Sequence, residues 1–84
     1  SVENLGKVLT LSKKETSNVL EGLLQTIGQS GYEQNQKINR ATLVNACTAV
    51  GNTADPDNVD FWQRLGGKVL NLGKTDWNRV AMAS

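Results

Sequence analysis

The chain carries one cysteine, Cys47, and no histidine, and that pair of facts limits how it can fold more than any other feature. One thiol cannot close an intrachain disulfide, and a structural zinc site needs more Cys and His than a single Cys provides. With no such staple, the 84 residues must stabilise themselves through packing. A chain this short buries only about 60–65% of its unfolded surface and has nothing left for a second core, so it reads as a single helical domain over 1–84. The aromatic residues are Tyr32, Phe61, Trp62 and Trp77, and the rest of the core falls to Leu, Val, Ile and Ala. That palette suits helix packing and predicts an all-α fold, a small three- or four-helix bundle.

The strongest start signal is Ser12-Lys13-Lys14-Glu15, a capping box in which the Ser12 hydroxyl and the Glu15 carboxylate each serve the other's backbone amide. Leu20, Leu23, Leu24 and Ile27 follow at i, i+3, i+4 and i+7, which predicts a helix over 13–28 that stops at Gly28 or Gly31. Upstream, Val2, Leu5 and Leu9 keep a helical spacing and predict a short helix interrupted by Gly6. The polar run from Gln29 to Asn39 reads as a mobile loop.

Asn39 is then a plausible N-cap for a helix over 40–50 with Leu43, Ala46, Cys47 and Val50 on one face, ended by Gly51-Asn52. Asp55-Pro56-Asp57 offers a cap acceptor, a proline at the first helical position and an acid against the dipole. The predicted helix covers 56–72, with Phe61, Trp62, Leu65, Val69 and Leu72 inward and Asp60, Arg64 and Lys68 in water. Gly66-Gly67 is its suspect joint, expected to mark a kink, a break or the close approach of another helix. After Gly73, Thr75-Asp76-Trp77 either caps a final short helix through Met82 or belongs to a fraying tail.

The same residues exclude several chemistries. Histidine, the commonest general base, is missing, and Cys47 sits on an apolar stripe without a partner to form a thiolate pair, so it reads as a small buried hydrophobe. Gly73-Lys74-Thr75 looks like the end of a phosphate loop, but the motif needs glycine at position 68, which is Lys, and a preceding strand where helix is predicted. Asp55 to Asp60 fails as a calcium loop, because Val59 stands where an oxygen ligand belongs and Asp60 where the turn glycine belongs. The expectation is a non-enzyme with no catalytic residue, no cofactor and no metal.

Nine Lys and Arg against eight Asp and Glu leave a net charge of +1, far from the balance of a duplex-binding module. Nucleic-acid contact would have to be local, through Lys13, Lys14, Lys37, Arg40, Arg64, Lys68, Lys74 and Arg79, with Trp77 as a stacking platform. A solvated, interspersed surface is the plainer account of the same lysines and arginines. Trp62 and Trp77 are the candidate protein-interface residues, since a Trp carries too much apolar surface to leave in water cheaply. The chain starts without Met and without an apolar leader or membrane span, which reads as a piece of something longer that sits in the cytoplasm.

Asn39-Arg-Ala-Thr-Leu-Val-Asn-Ala-Cys-Thr-Ala-Val50, followed by Phe61-Trp-Gln-Arg-Leu-Gly-Gly-Lys-Val-Leu-Asn-Leu72, is similar to the carboxyl-terminal part of phage- and plasmid-like proteins of unknown function. Asn45-Ala46-Cys47-Thr48 matches the Asn-Ala-x-Thr core of that family, and Leu11 to Glu15 fits its preceding helix. Gly66-Gly67 and the polar loop depart from the pattern. The resemblance implies a mobile-element protein, associates it with DNA handling and transfers no active-site residue. Together these readings predict a helical binding or assembly domain, docking on its parent chain or on a copy of itself, with nucleic-acid binding as the alternative.

Overall fold

A computed structural model of the chain describes residues 1–28 and 38–82. Among them are five α-helices: α1 (Val2–Val8), α2 (Lys13–Ile27), α3 (Arg40–Ala49), α4 (Val59–Leu70) and α5 (Lys74–Ala81). A π-helical turn (Val50–Ala54) and a 3-10 turn (Pro56–Asn58) join α3 to α4. The fold is all-α, as composition required, and both short terminal helices are formed. Gln29 to Lys37, most of the predicted polar loop, lie outside the described residues.

Two of the predicted starts are built as the sequence indicated. Ser12 Oγ accepts from the Glu15 amide at 3.1 Å while Glu15 Oε1 accepts from the Ser12 amide at 3.0 Å. Those hydrogen bonds hold the Glu15 carboxyl below its ordinary pKa. Asn39 Oδ1 accepts from the Ala41 amide at 2.8 Å and opens α3. The third start differs. Asp55 makes no side-chain cap, because its carboxylate is taken by the side chains of Asn58 and Trp62.

The end of α1 was not legible in advance. Leu11 N–H reaches the Gly6 carbonyl at 2.8 Å and Thr10 N–H the Lys7 carbonyl at 3.2 Å, a complete Schellman motif with Thr10 at φ 55° in the position that normally takes glycine. A β-branched residue there costs about 1–2 kcal/mol in strain. Thr10→Gly is therefore expected to raise stability by about 0.5–1 kcal/mol after the added freedom of the unfolded chain is subtracted. Urea unfolding should show a higher midpoint at unchanged slope; an unchanged or lower midpoint would contradict the strain.

α3 packs along α4, α1 along α5 and α2, and the π turn fits between α2 and α4. The core is Val2, Leu5, Val19, Leu23, Ile38, Leu43, Ala46, Cys47, Val50, Trp62, Leu65, Val69 and Val80, and no polar or charged side chain is buried among the described residues. The predicted face of α3 is reproduced in full. That of α2 is rotated: Val19 and Leu23 are buried, Leu20, Leu24 and Ile27 only partly. Thr16 meets Gly6 and Gly22 meets Trp62 on the inward side, and their small or polar side chains hid it from a count of apolar residues.

Glycine placement also departs from expectation. Gly51 does not end the helical path, which continues as the π turn to Ala54. It is buried there, and a Cβ on it would lie 3.0 Å from Trp62 Cβ, so its role is close approach. α4 runs unbroken through Gly66-Gly67 and ends at Leu70, short of the predicted Leu72. Gly66 faces α3, with a Cβ position 3.7 Å from Cys47 Cβ. That is ordinary contact with the neighbouring helix, and a Cβ on Gly67 would meet open space, so neither a kink nor a break marks the pair.

Candidate interaction surface

Of the two tryptophans expected at an interface, Trp62 is not there. It is 2% exposed, seated between Gly22 on α2 and Gly51 in the π turn. Its indole N–H donates to Asp55 Oδ2 at 2.9 Å, and the Phe61 ring meets it edge-on with centroids 5.4 Å apart. Burying the largest side chain satisfies the core, and the carboxylate satisfies the one polar atom that burial would otherwise strand. Trp62 thus lies inward on the apolar face of its helix, where the spacing of Phe61, Trp62, Leu65 and Val69 places it.

Trp77 remains at the surface. It lies half-buried on α5, and the Arg40 guanidinium sits over its ring, 5.1 Å from the centroid. This pair joins the first residue of α3 to the middle of α5 by a cation–π contact, worth about 0.5–1 kcal/mol at an exposed site.

The other basic residues are dispersed. Lys13 and Lys14 stand exposed in the first turn of α2, Arg64 and Lys68 on the wet side of α4, and Lys74 and Arg79 on α5. Arg64 Nε donates to the Asp60 carbonyl at 3.3 Å, and Lys68 lies close enough to Glu15 to help lower its pKa. Arg79 and Asp76 form the one ion pair among the described residues, at 3.5 Å with both side chains well exposed. Such a pair is worth little. Lys37 lies outside the described residues. The structure brings Arg40 to Trp77 but does not gather the remaining cations into one stripe.

Cys47 is fully buried, and burial pushes its thiol up to about 11, the reverse of an activated nucleophile. Among the described residues no three His, Cys, Asp or Glu side chains are grouped as a metal site. No described helix is long and apolar enough to cross a membrane.

Three surface features had no sequence signal strong enough to single them out. Leu70 and Met82, 59% and 61% exposed, bracket α5 at its approach and its end. Between α1 and α5 runs an open groove of about 300 Å³ lined by Asn4, Lys7, Val8, Arg79 and Met82. The α1–α5 junction is closed by hydrogen bonds from the Ser1 amine to the Val80 and Met82 carbonyls and from Asn4 Nδ2 to the Met82 carbonyl at 3.4 Å. Lys7 and Met82 are unremarkable as single residues, and only the pairing of the first helix with the last makes them neighbours. No family model matches the chain, and neither a curated protein nor a solved structure matches it.

Proposed function

We propose that this chain is a non-enzymatic helical binding or assembly domain of a larger phage- or mobile-element-type protein, docking on the rest of that protein or on a second copy of itself. The observation that carries the reading is apolar surface left exposed on either side of α5: Leu70 before the helix and Met82 after it are the large apolar side chains standing in water among the described residues, and Trp77 on the helix is half-buried. Apolar surface exposed in this way is available to a partner. The mobile-element context rests on the resemblance of Asn39 to Leu72.

The test is to titrate the domain with itself, and with the flanking parts of the longer protein, while following Trp77 emission and sedimentation. Trp62 is buried and serves as the silent reference, with Trp77→Phe as the control that assigns the signal. Association that Leu70→Glu with Met82→Glu weakens at least tenfold is the expected result. No association with either partner up to about 1 mM, a range that covers even weak contacts, would overturn the reading. A salt-dependent shift of an oligonucleotide, weakened by Arg40→Ala, would replace it with nucleic-acid contact at the Arg40–Trp77 pair.

A further inference from the structure

The groove between α1 and α5 has a definite character. Its lining includes two cations, Lys7 and Arg79, the apolar Val8 and Met82, and no acid. Lys7 forms no ion pair with a described residue, and Arg79 is held only by the exposed contact to Asp76 on its own helix. Glu3 lies one turn before Lys7 on α1 but is not part of the groove wall. The site therefore suits an acidic segment that also carries apolar surface.

The same chain presents such a segment elsewhere. Asp57, in the 3-10 turn, and Asp60, in the first turn of α4, are exposed and three residues apart, a spacing that puts them on one side of a helical path. Val59 and Phe61, half-buried, lie beside them. Arg64 bonds the Asp60 backbone carbonyl, and the Asp60 carboxylate has no ion pair among the described residues. This corner begins α4, whereas α5 and its groove follow the other end of that helix. No ion pair joins Lys7 or Arg79 to Asp57 or Asp60 within one copy among the described residues.

We infer that the α1–α5 groove receives the Asp57–Asp60 corner of a second copy of this chain, Lys7 and Arg79 facing the two carboxylates and Met82 and Val8 covering the apolar shoulder. Two different patches meet in such a contact, so it is head-to-tail: a pair of copies keeps one free groove and one free corner, one on each copy, and the assembly extends until it closes into a ring or runs on as a filament. A groove of this size makes a small interface, and the association is correspondingly weak and salt-sensitive. This rests on the assembly reading above and specifies its partner and geometry.

Charge reversal tests it. Lys7→Glu with Arg79→Glu, and separately Asp57→Lys with Asp60→Lys, should each weaken self-association at least tenfold by sedimentation equilibrium at low salt, with far-UV circular dichroism confirming the fold. Mixing the two reversed proteins restores complementary charge at every contact, and so does combining all four changes in one chain; both should recover the parent association. Two outcomes overturn the head-to-tail contact and leave the general binding reading standing: a parent chain that is monomeric throughout while binding its flanking segments, or one that associates without regard to these four charges. Loss in both reversed pairs without rescue in the mixture also overturns it.

Discussion

Replacing Trp62 with Ala is expected to remove about 3–5 kcal/mol of stability, a large part of the roughly 5–10 kcal/mol available to a domain of this size. The side chain is 2% exposed and touches three separate elements: Gly22 on α2, Gly51 in the π turn and Asp55 before the 3-10 turn. Trp62→Phe keeps most of the apolar body and removes the N–H, leaving the Asp55 carboxylate with Asn58 as its remaining donor. That change should cost about 1–3 kcal/mol. Denaturant unfolding followed by circular dichroism separates the packing cost from the hydrogen bond. A Trp62→Ala protein within about 1 kcal/mol of the parent would show that the indole is not the centre of the core.

The seat of Trp62 supplies an internal control. A Cβ on Gly22 would stand 2.9 Å from Trp62 Cη2 and 3.1 Å from Val50 Cγ1, closer than those atoms tolerate. Gly22→Ala gains up to about 1 kcal/mol in helix propensity and loses about 1–3 kcal/mol to overpacking. It is destabilising in the parent and should be less so in the Trp62→Phe background, where the far ring is gone and only the Val50 contact remains. Such a non-additive difference identifies two residues that share one space.

Stability is also expected to fall between about pH 9 and pH 11 by about 2–3 kcal/mol through one group, Cys47. Burial raises its pKa from the ordinary thiol value of about 9 to about 11. Below pH 9 the thiol is protonated in both folded and unfolded chains and contributes no slope. Between the two pKa values the unfolded chain has released its proton while the folded chain retains it, so rising pH favours unfolding by about 1.4 kcal/mol per unit. Lysines titrate in the same region, which makes the comparison with Cys47→Ala the measurement: the variant should lose this part of the slope. The same burial should leave Cys47 unreactive toward thiol reagents until the domain opens. Equal slopes in both proteins, or rapid labelling of the native state, would contradict it.

How much of this was readable in advance divides by the range of the interactions involved. The capping box at Ser12, the Asn39 cap, the buried face of α3 and the all-α class follow from contacts between residues two to four positions apart, and sequence spacing reports those directly. The turn at Thr10 escaped because the residue there violates the preference that would have signalled it. Trp62 and Trp77 could not be told apart from sequence, since both lie on amphipathic helices. Only packing decided that one is enclosed by two glycines and a carboxylate while the other meets Arg40 from a different helix. Gly51 reads as a helix end and Gly22 carries no signal at all, yet both are contact points with Trp62, because a missing side chain has no pattern until a neighbour fills its place. The candidate surface follows the same division. Sequence alone determined that this chain must fold as one unstapled helical core, a matter of composition and local periodicity; the pairing of α1 with α5 that sets Lys7, Arg79 and Met82 around one groove was decided by tertiary structure, because residues more than seventy positions apart become neighbours only through the core that both helices bury.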